Sequence, residues 1–296
     1  MTLTNQFKQY LKLIRYGQWS KNLFILLPAF FSFKILDASI HTDLIVTFFA
    51  FSFLASAVYV FNDILDIEND QLHPTKKLRP LAAGLVNKTE GYFLIAVLLS
   101  LSCLLFLWQN KPEIMLVAAL YLVQNFFYCI KLKHVSLLDV MIIATGFVLR
   151  ILIGGYAADV KLSHWIILMT LVLAIFLALA KRRDDVFVYL NTNQKSRKNL
   201  DGYNMEFLNV ALTIMSTVVI VCYLMYCTSP DITSRFGHNT YLTSFFVILG
   251  VLRYLQLTFV WMITGSPTKV FLTNRFLQLI LLGWVLSFFL IIYIEV

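Results

Sequence analysis

The sequence predicts an all-α integral membrane protein, a bundle of nine transmembrane helices that form one domain over residues 1–296. Hydrophobic residues make up 59% of the chain and charged residues only 14%, and the mean hydropathy is +0.78. A soluble domain normally carries about 25% charged residues. Most side chains must therefore face lipid or other apolar helices, and glycine and proline are too few for a disordered or fibrous protein.

Residues 5–16 are predicted to form a short helix that lies in the membrane interface. Three apolar side chains share one face, and the neighbouring face is basic: Phe7, Leu11 and Ile14, then Lys8, Lys12 and Arg15. Such an amphipathic pattern is typical of helices at the headgroup level. The start of the chain lacks an apolar core followed by a small-residue cleavage site, so we expect no removable signal peptide.

Nine apolar stretches follow, each close to the roughly 20 residues that cross a bilayer. They lie near 20–36, 44–61, 92–109, 114–130, 137–158, 163–180, 207–227, 241–261 and 271–294. The first is the weakest, because Pro28 interrupts it and Lys34 lies near its end. Eight spans is therefore the alternative.

The basic residues favour nine spans. With nine, one side of the membrane receives eighteen of the 24 Lys and Arg residues, whereas the other side receives Lys34, Lys111, Lys161 and Arg235. The positive-inside rule places the richer side, with the N-terminus, in the cytoplasm, at the inner (cytoplasmic) membrane of the cell. The two longest cytoplasmic connections are 62–91 and 181–206, where we expect the functional site.

An acidic segment follows the second span. It contains Asn62, Asp63, Asp66 and Asp70, whose spacing places them on one stripe if the helix continues. Carboxylates stacked in this way repel one another unless a cation lies between them. Oxygen ligands favour a hard ion, and Mg²⁺ usually binds through one or two carboxylates and substrate phosphates. The alternative is a solvated helix end with clustered acids.

Basic residues come next, at Lys76, Lys77 and Arg79. They suit a metal–diphosphate ligand, because Lys and Arg contact phosphate oxygens directly while carboxylates hold the metal. Alternatively, they serve only as topology signals.

The order Asn-Asp-x-x-Asp-x-x-x-Asp, then His-Pro-x-Lys-x-x-Arg-Pro-x-Ala-x-Gly, resembles the first signature of the UbiA superfamily of membrane prenyltransferases. The resemblance covers essentially the whole chain. It implies a UbiA-type bundle of nine helices with a cavity that faces the cytoplasm and binds Mg²⁺–diphosphate. It also implies metal ligands at Asn62, Asp63, Asp66 and Asp70, and catalytic roles for Asp63, Asp66, Lys76 and Arg79.

The segment after the sixth span departs from the usual pattern. Most members carry a second Asp-x-x-x-Asp there, whereas this chain has Lys181-Arg182-Arg183-Asp184-Asp185 and then Arg197-Lys198-Asn199-Leu200 before Tyr203. This pattern is similar to the decaprenyl-phosphate phosphoribosyltransferase branch, and so are Gln18-Trp19-Ser20-Lys21-Asn22 and the stretch from Leu138 to Arg150. A basic surface suits a donor with additional phosphate charge, such as phosphoribosyl pyrophosphate.

Further candidates for substrate binding are Lys21, Asn22, Arg150, Lys181, Arg182, Lys198 and Tyr203. Lys21 and Asn22 would clamp the donor. Alternatively, Lys21 is a snorkelling lysine, whose carbon stem lies along apolar surface while its ammonium reaches the interface. Arg150 lies deep in a span, where a charge normally faces a cavity or a partner, and both remain open. Tyr203 would contact ribose or anchor a helix end.

The sequence thus predicts Mg²⁺-dependent transfer of 5-phosphoribose from phosphoribosyl pyrophosphate to a polyprenyl phosphate in the bilayer, with release of pyrophosphate. No Ser-His-Asp or Cys-His constellation is evident, and an anionic acceptor requires none. We expect no nucleic-acid partner. The alternatives are prenyl transfer from a polyprenyl diphosphate to an aromatic or other small acceptor, and an anion transporter. The basic segment disfavours the first, and the absence of an internal repeat disfavours the second.

Overall fold

The computed structural model describes residues 3–32, 34–72, 75–192, 198–262 and 267–294. The regular elements in these ranges are helical: α1 (Leu3–Leu13), α2 (Leu27–Phe31), α3 (His41–Leu65), α4 (Ile67–Gln71), α5 (Lys88–Gln109), α6 (Pro112–Ile130), α7 (Leu138–Ala157), α8 (His164–Thr192), α9 (Met205–Thr228), α10 (Pro230–Phe236), α11 (Ser244–Phe259), α12 (Pro267–Thr273) and α13 (Arg275–Ile294). Short 3-10 helices join several of them, among them Tyr16–Leu26.

Seven helices in the described ranges are long and apolar enough to cross a membrane, so the protein is a multi-pass membrane protein. They are Ala38–Leu65, Lys88–Gln109, Pro112–Ile130, Leu138–Ala157, His164–Thr192, Met205–Thr228 and His238–Phe259. They coincide with predicted spans two to eight, whose helical nature is thereby confirmed.

The first and last predicted spans differ from the expectation. Residues 20–36 do not form one α-helix: the 3-10 helix Tyr16–Leu26 passes into the five-residue α2, whose second residue is Pro28. In the last span the chain breaks at Asn274, whose side chain accepts a hydrogen bond from the Leu277 N–H and so caps α13. The apolar helix therefore begins at Arg275 rather than near residue 271.

The predicted interfacial helix is present as α1. It ends at Leu13, which is fully buried and packs with Tyr10 and Ile14 against apolar side chains of α3 and α5. Arg15 then takes a left-handed conformation (φ 52°, ψ 46°), which turns the chain into the following 3-10 helix.

The chain divides into two compact units, Met1–Ile167 and Leu168–Val296. In the first unit α3 is the central helix and packs against α5, α6, α7 and the Tyr16–Leu26 helix. Small side chains on the buried faces of α3 let neighbouring helices approach it closely. These side chains are Ala50, Ser52, Ala55, Ser56 and Ala57.

Two lysines cap one end of the first unit. Lys34 donates to the Asp159 carbonyl at 2.9 Å, and Lys111 donates to the Ala157 carbonyl at 3.2 Å and pairs with Asp43 at 3.0 Å. Cations are favourable at a helix C-terminus, where carbonyl groups lack intrahelical partners. Both lysines belong to the sparse basic side of the predicted topology, and each has this structural role.

In the second unit α9, α11 and α13 pack together. A buried polar chain connects them, because Trp284 Nε1 donates to the Tyr223 hydroxyl at 2.7 Å and that hydroxyl lies 2.8 Å from Thr243 Oγ1. Hydrogen bonding of this kind removes the cost of placing polar groups in an apolar interior.

The close contact of α7 with the Tyr16–Leu26 helix depends on Gly154. A Cβ at this position would lie 2.0 Å from the Ile25 carbonyl oxygen, which is backbone and cannot rotate away.

We predict that Gly154→Ala lowers the free energy of unfolding by about 3 kcal/mol or more, as for severe overpacking. Gly250→Ala is the matched control, because its Cβ would meet only Ile280 at 3.5 Å. Denaturant unfolding in mixed micelles measures both, and equal stability of the two variants would contradict the packing described.

Candidate functional site

The end of α3 carries buried carboxylates that are balanced by distant cations. Asp63, which is 2% exposed, pairs with Arg15 from the chain after α1 and accepts a hydrogen bond from Arg79 Nη1 at 3.0 Å. The same Arg79 nitrogen donates to Asp70 Oδ2 at 2.6 Å. One guanidinium therefore joins two predicted metal ligands seven residues apart.

A second group forms around Lys133, which is 8% exposed and lies in the 3-10 helix Leu132–His134 after α6. Its ammonium donates to Asp66 Oδ1 at 2.7 Å and to Asn62 Oδ1 at 3.1 Å. Asn62 in turn donates its Nδ2 to Asp66 Oδ2 at 3.0 Å. Lys133 thus organises the other two predicted ligands.

The predicted stripe is modified by a break in the helix. α3 ends at Leu65 and α4 begins at Ile67, although the Asp66 and Asp70 N–H groups still donate to carbonyls four residues earlier. With the break, Asn62 groups with Asp66, and Asp63 groups with Asp70. The four residues are brought together by cations as two pairs rather than as one uninterrupted row.

The loop after α4 presents Arg79 to these carboxylates. It folds into a tight turn in which the Ala83 N–H donates to the Arg79 carbonyl at 2.8 Å and the Leu85 N–H donates to the Pro80 carbonyl at 2.9 Å. Gly84 adopts φ +69°, a conformation that favours glycine. Lys76, half-buried, begins the short 3-10 helix Lys76–Leu78 in the same loop.

Arg150 is part of a buried polar network. Its Nε donates to Asn22 Oδ1 at 2.9 Å, its Nη1 to the Gly146 carbonyl at 2.7 Å, and its Nη2 to the Tyr121 hydroxyl at 3.2 Å. The ring of Phe51 lies 4.9 Å from the guanidinium carbon. Asn22 also donates to Ser52 at 2.9 Å. Of the two possibilities for Arg150, the structure therefore shows partners on other helices.

Lys21 is adjacent to Asn22 but does not share its hydrogen-bond network. It is half-buried, and within the described residues its ammonium has no hydrogen-bond partner and no carboxylate. The positive charges of Arg15 and Arg150 act on it. An unbalanced cation beside two others is suited to an anionic ligand with several negative oxygens.

The oxygen-rich group of Asn62, Asp63, Asp66 and Asp70 at the end of α3 would suit Mg²⁺ if a substrate supplies further oxygen ligands. No three His, Cys, Asp or Glu side chains of the described ranges converge closely enough to hold a metal by themselves. A hard ion with near-octahedral preference completes its shell with water and substrate phosphate. The donor set therefore suits a metal that is bound together with a diphosphate, through the carboxylates of Asp63, Asp66 and Asp70 and the amide oxygen of Asn62.

The remaining predicted residues belong to the second unit. Lys181 is half-buried on α8, whereas Arg182 is fully buried and its Nη1 donates to Asp185 at 2.5 Å. Tyr203 is buried, with its ring 6.2 Å from that of Phe207. Lys198 begins the 3-10 helix Lys198–Gly202, but its side chain and residues 193–197 lie outside the described parts of the chain.

Sequence reasoning did not identify two residues of this site. Arg15 was expected only on the basic face of the interfacial helix, and Lys133 only among the cytoplasmic charges. Asp63 lies 48 residues from Arg15, and Asp66 lies 67 residues from Lys133 along the chain. The motif indicates buried acids that need cations, but a single sequence gives no signal for which cations reach them.

Comparison with known proteins shows the family to which the chain is similar. The model of the UbiA prenyltransferase family matches residues 25–280. A decaprenyl-phosphate phosphoribosyltransferase of Mycolicibacterium smegmatis is 33% identical, over 93% of this chain and 89% of the relative. A protein of the same name from Corynebacterium glutamicum is 31% identical, over 96% of this chain and 86% of the relative.

Solved structures show a similar fold. A UbiA homolog from Archaeoglobus fulgidus bound to GPP and Mg²⁺ superposes with a TM-score of 0.70 at 18% identity, covering 96% of this chain and 99% of the other. The same homolog bound to DMAPP and Mg²⁺ also gives a TM-score of 0.70.

We predict strong coupling between Lys133 and Asp66. Lys133→Met leaves the Asp66 carboxylate without its cation in a largely buried place, which should lower the free energy of unfolding by about 2–3 kcal/mol. Adding Asp66→Asn removes the unbalanced charge, so the double variant should be more stable than the sum of the single changes by at least about 1 kcal/mol. Lys131→Met, at an exposed position two residues away, is the control and should stay within about 0.5 kcal/mol of the original protein. Strictly additive effects in denaturant unfolding would contradict the pairing.

Proposed function

The chain belongs to the UbiA prenyltransferase family, and we propose that it transfers 5-phosphoribose from phosphoribosyl pyrophosphate to a polyprenyl phosphate, releasing pyrophosphate. The observation that carries this proposal is the similarity to decaprenyl-phosphate phosphoribosyltransferases at 33% identity over 93% of the chain. The basic sequence at Lys181–Arg183, in place of a second acidic motif, supports the same donor.

We further propose nine spans, with a cavity that opens to the cytoplasm, in the inner membrane. α13 supplies the ninth span, and the Tyr16–Leu26 helix with α2 supplies the first. The distribution of Lys and Arg supports a cytoplasmic N-terminus. In this orientation the end of α3 faces the compartment that contains a water-soluble sugar phosphate donor.

Asn62, Asp63, Asp66 and Asp70 are the proposed Mg²⁺ ligands. When bound, Mg²⁺ withdraws electron density from the diphosphate and so makes it a better leaving group. Arg79 and Lys133 already lie within hydrogen-bond distance of these ligands, and Lys76 lies in the same loop as Arg79. They keep the ligands in place and offer N–H groups to the negative charge that grows on pyrophosphate.

The bond changes need no proton transfer. The bond between ribose C1 and the diphosphate oxygen breaks, and its electron pair leaves with pyrophosphate. An oxygen of the lipid phosphate, already anionic, attacks C1 and forms the new bond. The residues of this chain therefore have to align two anions and offset their repulsion, which agrees with a site of cations around carboxylates.

The phosphate on C5 of the ribose needs its own cations. We assign Lys181, Arg182 and Lys198 to the phosphate groups, Lys21 and Asn22 to the donor, and Tyr203 to the ribose. Lys21 has the strongest structural support, because no carboxylate of the described chain balances it. Arg182 already donates to Asp185, so contact with a phosphate requires that pair to open or to share its cation. Arg150, with three hydrogen-bond acceptors of its own, holds Asn22 in position.

A transfer assay with two labels tests the proposal. Purified protein in lipid nanodiscs receives Mg²⁺, polyprenyl phosphate and phosphoribosyl pyrophosphate that carries ¹⁴C in the ribose and ³²P in the β-phosphate. We expect ¹⁴C in the organic extract and ³²P in water as pyrophosphate. Asp66→Asn should reduce the rate at least about a hundredfold, because a metal ligand is lost.

The alternative chemistry is tested in a parallel reaction. The same nanodiscs receive a polyprenyl diphosphate and an aromatic acceptor in place of the first pair of substrates. If the lipid stays free of ¹⁴C while the prenyl chain is transferred to the aromatic acceptor, the proposed function is wrong. Labelling of the lipid with both isotopes would also contradict it, since diphosphate would then have remained attached.

A further inference from the structure

We infer that Arg253 forms a binding site for the phosphate of a membrane lipid headgroup. Arg253 lies on α11, six residues before its last residue, Phe259, or about 9 Å along the helix axis. A charge at such a depth in an apolar span is costly unless it has a partner or reaches the interface. The residues around Arg253 indicate which partner it has.

Within the described residues, no carboxylate pairs with this arginine, and its Nε–H is buried without a hydrogen-bond partner. Its one hydrogen bond in the described parts runs from Nη1 to the side chain of Gln256 at 2.5 Å. The sequence of the two internal gaps in this unit, residues 193–197 and 263–266, contains no Asp or Glu.

Aromatic rings hold the guanidinium in place. The guanidinium carbon lies 4.1 Å from the ring centroid of Trp261 and 5.1 Å from that of Phe276. Contacts at these distances stabilise a cation through the face of the aromatic ring. Since Nη1 donates to Gln256 and Nε is buried, the N–H groups of Nη2 remain for an acceptor.

The surroundings are those of a lipid-facing surface. Leu252, Val260, Trp261 and Phe276 are all exposed. Tryptophan is enriched at the level of lipid headgroups, where phosphate groups are the abundant anions. The planar edge of a guanidinium matches the geometry of phosphate oxygens better than an ammonium would. The occupant we propose is therefore a lipid phosphate, held by the edge of Arg253 between the two rings.

The inference does not rest on the proposed transfer reaction, because lipid binding at Arg253 can be measured without turnover. Two lipids offer the same chemistry: an ordinary anionic phospholipid, and the polyprenyl phosphate that we propose as acceptor. The experiment therefore has one arm for each.

Native mass spectrometry of the full chain counts the lipids that are retained. The first arm presents phosphatidylglycerol against phosphatidylcholine of equal chain length, and the second presents polyprenyl phosphate against the matching polyprenol. We expect Arg253→Gln to lower retention of the charged lipid about tenfold in at least one arm, as for loss of a charge-assisted hydrogen bond. A loss in the first arm assigns the site to bulk phospholipid, and a loss in the second assigns it to the acceptor.

Two controls keep the test decisive. Lys88→Gln removes one exposed cation elsewhere and should leave retention unchanged. Arg253→Lys keeps the charge but loses the planar edge, and should retain the lipid only partly. If Arg253→Gln folds but retains both charged lipids as well as the original protein does, the inference is overturned. If Arg253→Gln does not fold, Arg253→Lys serves in its place, and full retention there overturns the inference.

Discussion

Three carboxylates at the end of one apolar helix have to be balanced, and this requirement organises the first unit of the protein. Asp63, Asp66 and Asp70 lie at or just beyond the end of α3, two of them almost completely buried. Removing one partner of a buried ion pair typically costs about 3–5 kcal/mol. Their cations are Arg15, Arg79 and Lys133. Because these come from three different parts of the chain, balancing the charges also fixes the chain after α1, the loop after α4 and the end of α6.

The same arrangement would suit the ligand proposed for this site. If a metal–diphosphate binds there, the cations that hold the carboxylates would stay beside them and would face phosphate oxygens as well. Little reorganisation is needed, which is the condition under which fixed charges stabilise a transition state most effectively. The role of Arg150 is related but distinct, since its polar contacts and the ring of Phe51 hold Asn22 beside the unbalanced Lys21.

Much of this could be predicted from the sequence, because hydropathy and motif spacing are local properties. The stretches of spans two to eight, α1 and the cluster of Asn62, Asp63, Asp66 and Asp70 all follow from residues that are near one another in the chain, and the role of that cluster as metal ligands stays a prediction. The pairing of Lys133 with Asp66 and of Arg15 with Asp63 could not be predicted, since it depends on how helices pack. The break at Asp66 was missed because periodicity assumes a regular helix, and the Tyr16–Leu26 helix was missed because apolar composition does not distinguish a 3-10 helix from an α-helix.

We propose that the carboxylates at the end of α3 bind a metal only together with the donor's diphosphate. The most direct test is the affinity of phosphoribosyl pyrophosphate, measured by calorimetry with and without Mg²⁺, in the original protein and in Asp66→Asn. We expect Mg²⁺ to strengthen donor binding at least about tenfold in the original protein. In Asp66→Asn that enhancement should disappear, while binding without Mg²⁺ should be equal or tighter, because Lys133 then faces the phosphates without its anionic partner. An equal effect of Mg²⁺ in both proteins would mean that the metal binds elsewhere and that Asp66 is not one of its ligands.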